Sequence, residues 1–274
     1  MGYDPAMDRR DFVAGSLGAA LGPAVGSARS AGGEGPARPR PQLLELRRYQ
    51  FRFGPMESRH AEYAKGALVP ALNRLGVKPV GAFSVVFGGD TPAVYLLLPH
   101  PSAESLATLA GRLRADGEYE RAAASFRDLP ATDPPYVRRD SSVMAAFDTF
   151  PSVEAPSGPL AVPSRVFELR TYESHNENAG LKKIAMFEQG GEIGIFRRVG
   201  LTPVFFGRNT VGPRLPSLTY MLVFPDLTTR EKNWGVFRDD PEWNKLRASP
   251  GLSNAEILSN INVQILRPTD YSQV

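Results

Sequence analysis

The chain has 274 residues, 42% of them hydrophobic and 22% charged, with a formal net charge of +3. That is an ordinary globular composition, long enough for one or two hydrophobic cores. Charges of both signs are spread along the chain without a basic block, which argues against non-specific nucleic-acid binding. With no cysteine, disulfides, thiolate metal sites and a cysteine nucleophile are excluded, and His60, His100 and His175 lie too far apart in sequence for a histidine metal cluster, so no metal site is expected.

The first forty residues differ from the rest. Met7-Asp8-Arg9-Arg10-Asp11-Phe12-Val13 resembles a twin-arginine export signal, with paired arginines and an apolar residue two places on. A mild Ala- and Gly-rich stretch follows from Ala14 to Ala28, too short for a stable membrane span. Gly26-Ser27-Ala28 has the small residues of a peptidase site, and residues 29–40 read as a disordered linker. The expectation is an exported protein, periplasmic or otherwise extracytoplasmic. The competing reading is a disordered tail that happens to hold an Arg-Arg pair.

From Leu44 onward the pattern alternates. Leu44 and Leu46 fall on one face of a strand, with Glu45, Arg47 and Tyr49 on the other. A helix pattern runs from His60 to Leu75 and stops at Gly76. Strands are expected over Val77–Phe87 and Val94–Leu98, a helix over Ala103–Arg114, a short helix from Asp116, and a last strand over Val143–Phe147. Pro151 to Pro163, rich in Pro and Gly, is the natural connector.

The same order then returns. Phe167-Glu168-Leu169-Arg170-Thr171-Tyr172 repeats Leu44-Glu45-Leu46-Arg47-Arg48-Tyr49 at an offset of 123 (45 to 168), and Gly200, Pro203 and Asp240-Pro241-Glu242-Trp243 repeat Gly76, Pro79 and Asp116-Gly117-Glu118-Tyr119 at 124. The second copy has a helix pattern over Leu181–Val199, strands over Pro203–Arg208 and Thr219–Phe224, a helix over Leu227–Arg238, a helix from Asp240, and a strand over Ile261–Leu266. Asp240 suits a helix N-cap, with Pro241 at the first position. The domains are therefore 1–40 (signal and linker), 41–150 (first module), 151–163 (connector) and 164–274 (second module). The order in each module is βαββαβ, so the fold class is α+β with two tandem ferredoxin-like modules packed sheet-to-sheet.

Glu168-Leu169-Arg170-Thr171-Tyr172 and Phe237-Arg238-Asp239-Asp240-Pro241-Glu242-Trp243 resemble the opening strand and the later acidic-Pro-Glu-Trp segment of NIPSNAP family domains. The resemblance covers about residues 42–274 as two tandem domains. It is looser in the first, where Gly117 and Tyr119 stand for Pro241 and Trp243. It implies a dimeric α/β barrel, here within one chain. That superfamily also holds small monooxygenases, haem-degrading enzymes and isomerases. The NIPSNAP family lacks an agreed catalytic mechanism, and its eukaryotic members are discussed mainly as mitochondrial interaction proteins.

The chemistry-bearing candidates lie on the non-apolar face of the opening strands. If the apolar face meets the helices, Glu45, Arg47, Tyr49, Glu168, Arg170 and Tyr172 face the barrel interior. They then either form structural ion pairs, since burying unpaired charge is costly, or line a cavity for a small anionic or carbonyl ligand. In the second case Arg47 and Arg170 hold the ligand, and Tyr172, His175 or Glu168 transfers a proton. Glu188 and Glu192, four apart on one helix, make a carboxylate pair on a shared face. Phe206 and Trp234 are core residues first and ligand contacts second. Gly190, Gly191 and Gly194 interrupt the second-copy helix. No cofactor is expected from any motif, with haem on His60 or His175 a lesser alternative. The further rival is a non-enzymatic interaction module or self-associating scaffold, which predicts a barrel interior filled by side chains.

Overall fold

The computed structural model describes residues 40–89 and 91–274. The export-signal and linker reading of residues 1–40 therefore falls, Arg40 apart, outside the described residues. The first half runs β1 (Leu43–Gln50), α1 (Met56–Tyr63), a π-helical turn (Ala64–Leu68), α2 (Val69–Arg74), β2 (Gly81–Phe87), β3 (Ala93–His100), α3 (Ala103–Ala115), α4 (Gly117–Arg127) and β4 (Arg138–Ala146). The second runs β5 (Val166–Glu173), α5 (Glu177–Glu188), α6 (Glu192–Arg198), β6 (Thr202–Val211), β7 (Ser217–Phe224), α7 (Leu227–Asp239), α8 (Pro241–Arg247), α9 (Asn254–Ile257) and β8 (Asn260–Pro268).

Local signals explain most boundaries. Gly76 and Gly200 adopt φ of +79° and +80° where their helices stop, a conformation that costs glycine nothing. Asp116 and Asp240 each accept backbone N–H groups from the second and third residues of the following helix. Two expectations need correction. The first helix begins at Met56 and widens into the π turn, where Pro70 removes the N–H that would continue the ladder. The single helix expected over Leu181–Val199 is two helices, α5 and α6, parted where Gly191 takes φ of +80°. Glu188 and Glu192 thus sit on different helices and do not form a carboxylate pair.

The eight strands close into one antiparallel barrel in the order β1-β3-β2-β8-β5-β7-β6-β4. Each half keeps the ferredoxin-like strand order, and the halves join at two equivalent seams, β2 with β8 and β4 with β6. Each seam pairs the second strand of one half with the fourth of the other, so neither half exposes a sheet edge.

Strand parity sets what fills the barrel, and it is opposite to the sequence expectation. The apolar face points inward: Leu44, Phe83, Leu97, Met144, Phe167, Leu169, Phe205, Met221, Val223 and Leu266 form one core drawn from both halves. Phe83 meets Phe167 across the halves at 4.7 Å between ring centroids. The Glu-Arg-Tyr face points outward, beneath the helices. Tyr49 packs with α1, α2 and α4 in one core, and Tyr172 with α5, α6 and α7 in another. The reason is supply of partners. The helices bring Arg230 and Trp234 to Glu168, whereas the facing half offers only apolar side chains at the same level. One barrel end is shut by Val153 and Leu160 of the connector and by the buried C-terminal Val274.

Gly207 lies inside the β4–β6 seam, where a Cβ would stand 2.7 Å from that of Met144. Gly207→Ala should therefore lower stability by about 1–3 kcal/mol through overpacking. Chemical denaturation checks this: an unchanged midpoint would mean that the seam can open to accept a methyl group.

Candidate functional site

Beneath the second-half helices, Glu168 is fully buried and satisfied by three side chains. Arg170 donates Nη1 at 2.8 Å, Arg230 donates Nε and Nη2 at 3.0 and 2.8 Å, and Trp234 donates Nε1 at 2.6 Å. The Arg170 guanidinium lies 4.5 Å from the Trp234 ring centroid and 5.5 Å from that of Tyr172. Tyr172 and Tyr220 share a buried hydroxyl hydrogen bond at 2.8 Å, and burial raises the Tyr220 phenol well above its ordinary value. These bonds occupy the atoms of Glu168 and Tyr172 that proton transfer would use.

The first half builds a leaner version. Glu45 accepts two bonds from Arg47 at 2.6 and 3.0 Å and one from Ser141 at 2.7 Å, with His100 Nε2 at 3.4 Å. Burial pushes the Glu45 carboxyl up, but His100, Arg47 and Ser141 outweigh it and bring it down to about 2. At the repeat offset of 123, His60 matches Lys183, and both are buried. Lys183 donates to both Glu192 oxygens at 3.1 and 2.8 Å, while burial raises the Glu192 carboxyl against the pull of Lys183 and Arg170. His60 has no such partner. It sits among Tyr49, Phe51, Phe126 and Tyr63 at 4.5–6.1 Å, neither ring nitrogen is bonded, and burial lowers it to about 4.

Of the remaining sequence candidates, His175 is exposed in the turn after β5. Glu188 accepts the backbone N–H and hydroxyl of Thr149. Phe206 stacks on Tyr220 and Phe147 in the second-half core. The haem arrangement does not fit this geometry: His60 is walled in by aromatic rings and His175 opens to solvent. Among the described residues no group of three or more His, Asp or Glu side chains could hold a metal ion, and no helix is long and apolar enough to cross a membrane.

The space between the two sheets changes character along the barrel. Past Leu46 and Leu169 the apolar layers give way to a cavity of about 670 Å³, lined by inward residues of both halves. Arg48, Tyr95 and Asp140 come from one half, and Thr171, Asn209, Thr219, Asn262 and Gln264 from the other, with Arg138, Arg139 and Arg214 at the rim. The lining has four arginines and one carboxylate, Asp140, which takes Arg48 Nε and Nη2 at 3.1 and 2.7 Å. Burial raises the Tyr95 phenol, against the pull of Gln264, Arg48 and Arg214, so it keeps its proton at neutral pH. Gln264 Oε1 is buried without a partner. These residues escaped the sequence reading because of the parity error. The last strand alternates too, Asn262 and Gln264 with Ile261, Val263 and Ile265, but alternation alone does not say which face turns inward.

The NIPSNAP family model matches residues 44–136 and 167–273. A search of curated proteins finds no match. Among solved structures, the "putative monooxygenase" of Lactobacillus acidophilus NCFM is similar, with a TM-score of 0.54 and 7% identity over 84% of this chain and 94% of that one. A protein of the same description from Fusobacterium nucleatum subsp. nucleatum ATCC 25586 has a TM-score of 0.52 and 8% identity, over 84% and 93%. An uncharacterized NIPSNAP-like domain protein from Burkholderia xenovorans is 21% identical over 41% of this chain and 92% of that one, with a TM-score of 0.37. At 7% and 8% identity the likeness to the first two is one of fold alone.

His60 generates a pH prediction. Its folded value, about 4, lies below the ordinary 6.5. Above pH 6.5 both states hold it neutral and the protein carries no penalty. As pH falls from 6.5 toward 4 the unfolded chain binds a proton that the folded one refuses, so stability drops, by on the order of 3 kcal/mol in all. Denaturation midpoints between pH 7.5 and 4.5 should show this slope, and His60→Phe should flatten it. The Glu45 contribution is lost only lower, between about 4.5 and 2. An equal slope in His60→Phe would assign the acid sensitivity elsewhere.

Proposed function

The chain belongs to the NIPSNAP family, and on that premise we propose that it binds a small anionic organic molecule in the polar end of its barrel. Family membership supplies the fold and leaves the activity open. The observation that carries the reading is the change of lining between the sheets, from packed apolar layers to a cavity with a cation excess. A carboxylate fits the lining in three ways. Arg48, paired with Asp140, and Arg214, 3.7 Å from Glu173 Oε1, supply charge-assisted donors, Tyr95 supplies a phenol that stays protonated, and Asn262 and Gln264 supply amides for a carbonyl or hydroxyl.

Acid–base work is the chemistry this set supports. With the carboxylate on Arg48, the Tyr95 hydroxyl is the group that donates to a neighbouring carbonyl oxygen, stabilising charge that develops there. The scaffold reading needs a filled interior, and the interior is filled only in its closed half. The Arg9-Arg10 pattern supports export of the chain as part of the same proposal.

Native mass spectrometry of protein purified from its own host is expected to reveal a retained small acid, and Arg48→Met and Tyr95→Phe should each lose it at least tenfold. The reading fails if the protein carries no ligand and no member of a panel of small carboxylates raises its Tm.

A further inference from the structure

We propose a second, separate site in this chain: the cleft between α7, α8 and the β5–β8 sheet binds a carboxylate borne on a flat apolar body. The cleft encloses about 340 Å³. Its floor is aromatic, with Tyr172, Trp234, Phe237 and Trp243, and its cations are Arg170, Arg230, Arg238 and Arg247. Two carboxylates face these four arginines. Glu168 is consumed by Arg170, Arg230 and Trp234, and Glu231 lies 3.4 Å from Arg230 and 3.6 Å from Arg238. A positive excess remains over an aromatic surface, and Arg170 Nε is buried there without a partner.

Arg230 and Trp234 satisfy Glu168 in this half, but the fold does not require the whole cluster, because the other half builds the same layers without it. At the offset of 124 that relates α3 to α7, Arg230, Trp234 and Arg247 correspond to Leu106, Ala110 and Ala123. Glu45, the counterpart of Glu168, is held with a single arginine. The extra cations and the extra ring therefore belong to the second half alone, and they converge on one cleft. A carboxylate supplies the charge that the guanidinium groups lack, in the planar geometry they match. A flat ring supplies the face that Trp234 and Tyr172 share with Arg170. A fully hydrated phosphate offers the charge without the ring.

The chain has two tryptophans, Trp234 and Trp243, and both line this cleft. Their emission therefore reports it directly, whereas the barrel cavity holds none. Titration of the full chain with benzoate should give a saturable emission change that benzamide, its neutral counterpart, does not. Arg238 and Arg247 are exposed at the rim, so the double variant Arg238→Glu, Arg247→Glu should keep its circular dichroism and bind benzoate at least tenfold more weakly. Arg48→Met, which disables the barrel cavity, should leave the titration unchanged. Equal binding of benzamide, a response to inorganic phosphate without one to benzoate, or full affinity in the double variant would each overturn the proposal. A loss in Arg48→Met would overturn its independence from the barrel.

Discussion

Closure of the barrel at its two seams is the constraint from which the other features follow. Once β2 pairs with β8 and β4 with β6, every strand has two neighbours and every residue is committed to one side. Inward residues meet the opposite half. Outward residues meet the helices of their own half. Since side chains alternate with period two, a single choice of parity settles the surroundings of all eight strands at once. Leu44 and Phe167 become barrel core, and Glu45 and Glu168 become helix-covered charges, through the same choice.

The element order was readable from the alternation in the opening strands, the glycines at 76 and 200 and the capping aspartates at 116 and 240, because each depends on local backbone chemistry. The two-module architecture was readable from the offset. Parity was not. A charged strand face is equally compatible with a polar barrel interior and with a helix layer that carries its own donors, and deciding between them needs residues distant in sequence. Arg230 and Trp234, more than sixty residues after Glu168, are those donors. The site reading inherited the error. Arg47 and Arg170 drew notice because they recur, yet the residue that reaches the cavity is their neighbour Arg48, whose counterpart Thr171 carries no charge.

Buried polar groups show how differently two related halves solve one problem. Glu168 gathers two arginines and an indole, while Glu45 makes do with one arginine, a serine and a histidine. Lys183 brings its own counter-ion, and His60 stays neutral among rings. Full satisfaction and neutrality are both ways around the desolvation cost of charge. They differ in what acid does to them, since the neutral histidine gains a charge on protonation whereas Glu192 loses one.

The connector from Pro151 to Pro163 has a consequence beyond closing one barrel end. In a barrel assembled from two separate chains, closure is bimolecular and dilution opens it. Here the partner half is held at a high effective concentration by a tether of about a dozen residues, so closure is independent of how much protein is present. In a two-chain barrel of identical subunits, moreover, every substitution is made twice. A single chain escapes that duplication, and a change that would ruin the barrel if copied into both halves can persist in one.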